Sequence, residues 1–328
     1  MKKMKKVFAG FLAAAMMLSL SVAAFAADAI IPTYTDQETV TLTKVYKLVG
    51  AGTSPAETFT VEQVGDGSVT DGDAESAPHL GTINGASFAA GAASETGATG
   101  TITITLPTYT TVGVYEYTLR EVATAATAGV TYRSEDIKLV VTVMQGEDGK
   151  IRVAAVHTED ASGTKSSSIE NTYSAGTLSV HKTVNGNMGD HDKYFTFTVK
   201  LTGETGKNYG GSYAVSGGTN TSNPTSVVIG QEATFYLKDG DTISIANLPY
   251  GVTYEVTENS YVNDGYTTTS TGNTGSISSA SAIAEFTNTK NGNVDTGIHM
   301  DSLPYIVALA LVLGFAVVMI ARRRRIEE

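Results

Sequence analysis

Between residues 40 and 288 the apolar side chains recur every second residue in short runs, and that period admits strands, not helices. Val40, Leu42, Lys44 and Tyr46 share one face, followed by Phe59 and Val61. Ile102, Ile104 and Leu106 alternate, as do Tyr115, Tyr117, Leu119 and Glu121. Ile137, Leu139, Val141 and Val143 run into Gly146-Glu147-Asp148-Gly149 and return through Ile151 and Val153, the pattern of a hairpin. After Ile169 and Asn171 the plan repeats: Leu178, Val180, Lys182, Val184; Phe195, Phe197, Val199, Leu201; Phe235 and Leu237, then Ile243 and Ile245 beyond an Asp239-Gly240-Asp241 turn. Tyr254, Val256 and Glu258 follow, and Ala282, Ala284, Phe286 and Asn288 close the second half. Short strands at this spacing predict an all-β chain of two tandem β-sandwich domains, each long enough for its own core. The small residues Ser174-Ala175-Gly176 mark the boundary, a linker short enough to hold the halves as a rod. Gly85–Gly100 and Gly210–Pro224 read as long loops.

The ends of the chain set its compartment. Lys2, Lys3, Lys5 and Lys6 precede an apolar run and Ala24-Phe25-Ala26, so residues 1–26 read as a removable export signal. Leu303–Ala321 is uncharged and long enough for a tilted membrane helix, and Arg322–Arg325 would keep the following tail (322–328) in the cytoplasm. Residues 27–174 and 175–290 are then two exported domains, with a spacer at 291–302. Residues 27–297 carry 14 basic against 30 acidic residues, a surface that repels nucleic acid. The chain has no cysteine although export permits disulfides, so any covalent staple must use other chemistry.

One set of three residues occurs twice in the same order. Lys44 lies on the first strand of its half, Glu121 late and Asn171 on the last strand; Lys182, Glu258 and Asn288 match them. Each sits in phase with apolar neighbours. Burial disfavours an ammonium, so a lysine there is partly a neutral, nucleophilic amine. Burial also raises a glutamic acid, which can then move protons and polarise a carboxamide. Proximity makes amide exchange intramolecular. Lys44–Asn171 and Lys182–Asn288 are the expected cross-links, Glu121 and Glu258 their proton shuttles. Lys47, on the opposite face of the same strand, is the alternative to Lys44.

These residues carry a resemblance. Val40-Thr-Leu-Thr-Lys44, Val112-Gly-Val-Tyr-Glu-Tyr-Thr-Leu-Arg-Glu121 and Ile169-Glu-Asn171-Thr-Tyr173 resemble the isopeptide-linkage domain of streptococcal-type, sortase-assembled major pilins. Leu178-Ser-Val-His-Lys182, Leu248–Glu258 and Phe286-Thr-Asn288-Thr look like a collagen-adhesin B-type (CnaB) repeat, and Tyr254–Glu258 with Gly265-Tyr266 is similar to the pilin E-box. The resemblance implies Ig-like folds and a structural subunit, not an enzyme, on the cell surface. Asn293-Val-Asp-Thr-Gly297 resembles the Val-Pro-Thr-Gly sorting signal, with Asp295 in place of proline. It implies a sortase as partner, cleavage between Thr296 and Gly297, transient membrane anchoring, and attachment to other copies of the chain or to peptidoglycan. The receiving lysine is expected near the junction, just before the last strand of the first domain: Lys165, with Lys193 and Lys207 as alternatives. The other reading is a wall-anchored adhesin or minor pilin that grips a host or community ligand.

Nothing else in the sequence points to chemistry. His79, His157, His181, His191 and His299 make no metal-binding spacing, and the acidic Gly65–Asp73 segment lacks that of a calcium loop. No cofactor or metal is expected.

Overall fold

The computed structural model describes residues 36–123, 126–292 and 302–324. The export signal and Thr296-Gly297 lie outside the described residues.

The first half forms β1 (Thr39–Gly50), β2 (Glu57–Phe59), β3 (Val61–Gln63), β4 (Ser68–Gly72), β5 (Ile83–Asn84), β6 (Ala86–Phe88), β7 (Ala98–Thr105), β8 (Gly113–Glu121), β9 (Val130–Thr131), β10 (Ile137–Gln145) and β11 (Ile151–Glu159). β12 (Ser168–Asn185) runs into the second half. One sheet pairs β9, β12, β1, β7 and β5 in order; the facing sheet pairs β11, β10, β8 and β3, with β4 also on β8. The period-two reading of β1 holds side chain by side chain: Leu42, Lys44 and Tyr46 are buried while Thr41 and Thr43 are exposed. The 146–149 turn joins β10 to β11 as a hairpin.

The second half forms β13 (Phe195–Thr202), β14 (Tyr213–Gly217), β15 (Ser226–Val227), β16 (Glu232–Leu237), β17 (Thr242–Pro249), β18 (Thr253–Glu258), β19 (Thr267–Thr271), β20 (Thr274–Ser276) and β21 (Ser281–Thr289). One sheet runs β15, β14, β17, β12, β21, β19, and it faces β16, β13, β18, β20. Each sandwich encloses its own apolar cluster.

The two segments read as loops contain structure. Ala86 and Phe88 of β6 are buried, and the Phe88 ring packs 5.4 Å from Tyr46 and 5.8 Å from Phe59. Tyr213 of β14 is likewise buried. In both places one aromatic anchor among small residues outweighs a glycine-rich composition.

The larger difference lies at the junction. Ser174-Ala175-Gly176 is not a linker but the middle of β12, whose first half pairs β1 in parallel and whose second half pairs β17 and β21. One strand therefore belongs to both sandwiches. At about 3.3 Å per residue it extends for roughly 60 Å. Further bonds flank it. The 126–128 segment exchanges backbone hydrogen bonds with Asn208, and Tyr250 N–H donates to the Ser174 carbonyl.

A β-bulge on β17 completes the joint. Two residues of β17 stand opposite Thr177, and the second, Asn247, takes φ 60°. Asparagine tolerates this left-handed conformation better than most residues. Its Oδ1 accepts from Thr53 N–H at 2.9 Å and from Tyr173 O–H at 3.1 Å, both in the first half. Gly52 leaves room for that amide; a Cβ there would collide with it. Asn247→Gly keeps the backbone and deletes the acceptor. It should speed hydrogen exchange at the Thr53 amide about tenfold, whereas Asn247→Asp should retain protection.

Helix α1 (Ser302–Arg324) carries exposed side chains throughout Pro304–Ile320. Among the described residues no helix is long and apolar enough to cross a membrane.

Candidate functional site: two buried lysine–glutamate–asparagine triads

Each sandwich brings its three polar residues together at one place in its architecture. Lys44 of β1 pairs with Ile169 of β12, and Asn171 lies two residues further along β12. Lys182 of β12 pairs with Phe286 of β21, and Asn288 lies two residues further along β21. The register is the same in both. The lysine and asparagine sit on adjacent parallel strands of one sheet, with side chains facing the core. The acid crosses from the opposite sheet, Glu121 at the end of β8 and Glu258 at the end of β18. β12 supplies the asparagine of the first triad and the lysine of the second.

Burial is nearly complete. Lys44, Lys182 and Asn288 are 0% exposed, Asn171 1% and Glu121 4%. In the first triad Lys44 Nζ lies 2.5 Å from both Glu121 Oε1 and Asn171 Oδ1. Asn171 Nδ2 donates to both Glu121 oxygens at 3.0 Å. Arg133 supplies a backbone N–H to Glu121 Oε2 at 2.5 Å. In the second triad Lys182 Nζ forms an ion pair with Glu258 Oε1 at 2.9 Å, and Asn288 Nδ2 donates to that oxygen at 2.8 Å. Lys182 Nζ, Glu258 Oε2 and Asn288 Oδ1 are buried without a hydrogen-bond partner.

Desolvation is the largest influence on both lysines and on Glu258. Burial pulls both Lys44 and Lys182 below the ordinary lysine range, against the opposing pull of their glutamates. Burial pushes Glu258 up, and Lys182 and Asn288 offset this only in part. Aromatic rings close the pockets: Phe59 lies 4.6 Å from Lys44 Nζ, and Phe195 4.3 Å from Lys182 Nζ. The alternative Lys47 faces outward, paired with Glu170 at 2.5 Å on a partly exposed surface.

The other sequence-selected lysines are scattered. Lys165 is exposed, in the turn before β12. It is not near the junction: β12 starts at Ser168 and reaches the junction only at Ala175, roughly 20 Å further on. Lying just before the last strand places it at the free end of the first sandwich, because β12 runs toward the second. Lys193 is also far from the junction, bonded to Asp264 at 2.5 Å and set against Phe195, Tyr261 and Tyr266. Lys207 does adjoin the junction, beside Asn208. Among the described residues no cluster could hold a metal ion.

Sequence reasoning missed the Arg133 amide and the rings over the lysines. A backbone donor in a loop leaves no residue-type signature, but Phe59 and Phe195 follow the same phase rule that selected the lysines.

Comparison with known proteins connects these triads to a family. Residues 40–174 match the model of a Spy0128-like isopeptide containing domain, and residues 176–290 match a domain of unknown function. A curated pilin of Streptococcus pyogenes serotype M1 is 31% identical over 232 residues, covering 64% of this chain and 68% of that protein. The chain belongs to the streptococcal-type pilin family. The crystal structure of the major pilin from Streptococcus pyogenes superposes on this pilin with a TM-score of 0.53 at 25% identity, across 79% of this chain and 100% of that one. The pilus tip adhesin Cpa of the same species is 37% identical over 81 residues, 25% of this pilin but 11% of the adhesin.

Proposed function

We propose that this pilin is the shaft subunit of a covalent, sortase-assembled pilus on a Gram-positive surface, each sandwich closed by a self-made Lys–Asn isopeptide bond. The observation that carries this reading is the repeated triad, buried at the same register in two sandwiches that share β12. Neutral Nζ of Lys44 attacks Cγ of Asn171. Glu121 takes a proton from Nζ and delivers it to Nδ2, which leaves as ammonia. One C–N bond forms, one breaks, and no oxidant or cofactor takes part. Lys182, Glu258 and Asn288 follow the same course. The triads act once, on their own chain, which makes the protein a structural part and not a turnover enzyme.

Assembly requires an acceptor at one end and a donor at the other. Lys165 is exposed at the free end of the first sandwich. The chain leaves the second sandwich at the opposite end of β12, where Asn187 and Gly292 exchange hydrogen bonds. Sortase attack at Thr296 and transfer to Lys165 of the next subunit would join copies head to tail. The subunit at the base would pass to peptidoglycan. The adhesin reading has less support, since the sequence match to the tip adhesin covers 25% of this chain and 11% of that protein, against 64% and 68% for the pilin.

Expression with a cognate sortase tests the reading. Lys165→Ala should reduce the high-molecular-weight ladder of wall extracts to single subunits, and Lys207→Ala should leave it intact. An unchanged ladder in Lys165→Ala would remove Lys165 from the role.

A further inference from the structure

β1 is longer than the strand that closes it. β12 joins β1 only from Ser168, opposite Thr43, whereas β7 follows β1 on its other side as far as Thr39, opposite Thr105. Along Thr39–Leu42 one side of β1 therefore has no neighbouring strand among the described residues. The Glu38 carbonyl accepts from Leu106 N–H toward β7, and Thr43 N–H donates to the Ser167 carbonyl toward β12, so the odd-numbered residues turn their backbone groups to the β12 side. Thr41 N–H and C=O point there and bond to no described residue. The Thr39 carbonyl accepts from the exposed Gln37 amide at 3.1 Å. The residues leading into β12 do not cover this edge, because Ser166 N–H donates to the Thr158 carbonyl of β11, in the facing sheet, at 3.0 Å. Such an edge is a template for an added strand.

The length of chain beyond the second sandwich identifies the occupant. The Asn187 amide clasps Gly292, donating to its carbonyl at 2.8 Å and accepting from its N–H at 2.9 Å. Four residues, Asn293-Val-Asp-Thr296, separate this clasp from the cleavage point read in the sequence. Extended, they span roughly 13 Å, the length of the four open positions of β1. Their alternation fits too. Paired residues of parallel strands share a face, so Val294 would stand inside beside the partly buried Val40, and Asp295 outside beside the exposed Thr41. Both existing closures, β1 with β12 and β12 with β21, are parallel. A segment arriving from beyond Thr39 would run parallel to β1 as well, in line with β12, and would end beside Leu42, next to the Lys165-Ser166-Ser167 turn.

We propose that residues 293–296 of a neighbouring copy add to the open edge of β1 at Thr39–Leu42 as a parallel strand, and that this docking delivers Thr296 to Lys165. The inference rests on the head-to-tail reading above and supplies its docking surface.

A tethered peptide tests it without a sortase. The mature chain (residues 27–296) carrying Lys165→Cys is joined by a disulfide to synthetic Asn-Val-Asp-Thr bearing a C-terminal cysteamine amide, which stands in for the lysine link; the chain has no other cysteine. Amide exchange at Thr41, followed by NMR, should slow about tenfold or more relative to the untethered chain. The same peptide with Val294→Asp should protect Thr41 less, and equal protection would contradict the pairing. An unchanged Thr41 rate in the tethered chain overturns the proposal. So does a Thr41 amide already protected in the untethered chain; loss of that protection on removing residues 27–35 would assign the edge to the chain's own start. In cells with a cognate sortase, Thr41→Pro deletes the open N–H at no cost in hydrogen bonds within the subunit. It should slow growth of the ladder about tenfold, and an unaffected ladder contradicts the docking. If Thr41→Pro does not fold, the tethered chain decides alone. The two readings fail separately: a ladder unchanged in Lys165→Ala removes the head-to-tail reading, whereas a Lys165-dependent ladder with Thr41 unprotected by the tethered peptide removes only this inference.

Discussion

Pulled between residue 165 and its C-terminal end, the mature wild-type chain will not lengthen as force rises, whereas Glu258→Ala will lengthen by on the order of 350 Å. The contrast follows from β12. Force entering at residue 165 runs along that strand to Lys182, crosses the isopeptide bond to Asn288, and leaves through the residues after Thr289. Everything on this route is covalent, and from Ser168 to Lys182 it is already an extended strand. Without the second bond, the segment between Lys182 and Asn288, about a hundred residues, is free to unravel at roughly 3.3–3.6 Å per residue. Glu121→Ala should not lengthen at all. Lys44 and the strands of the first sandwich hang from the route as a branch, and peeling β12 from β1 gains almost no length. The chain has no cysteine, so Lys165→Cys and an added C-terminal cysteine give unique handles for a force spectrometer. An unravelling step in wild type, or none in Glu258→Ala, would contradict this path.

Heat should show the complementary effect. The Lys44–Asn171 bond closes a loop of over a hundred residues, worth roughly 5 kcal/mol by the chain-entropy estimate. Glu121→Ala forfeits that and also leaves Lys44 buried without its acid, a further cost. For a sandwich of this size the melting midpoint should fall by about 15–30 °C. Calorimetry separates the two losses. Adding Lys44→Met to Glu121→Ala removes the buried amine and should recover part of the fall, but not the loop-closure part. A midpoint within a few degrees of wild type in Glu121→Ala would mean that no bond forms there.

Much of this was legible in the residues. Lys44 and Lys182 stood out because each interrupts a strictly alternating apolar face, where a charge is costly, and Glu121, Glu258, Asn171 and Asn288 recurred in the same order. Alternation gives a strand's inner face but not its neighbours, so the sharing of β12 by two sheets stayed hidden. Three small residues look the same in a linker and in a strand. The position of Lys165 depended on that point: once Ser174-Ala175-Gly176 is strand, the residues before it extend away from the junction. Asn247 was invisible because its left-handed backbone arises from a bulge between non-local strands. The Arg133 amide was invisible because every residue except proline has one.

The central claim concerns a single chemical event in each sandwich, the loss of ammonia as nitrogen from lysine replaces nitrogen of asparagine. The intact mass of a recombinant chain spanning residues 27–296 tests it most directly. The account predicts a mass below the sequence value by two molecules of ammonia, with one molecule restored in Glu121→Ala, one in Glu258→Ala and both in the double variant. A wild-type chain that weighs what its sequence specifies would contradict it.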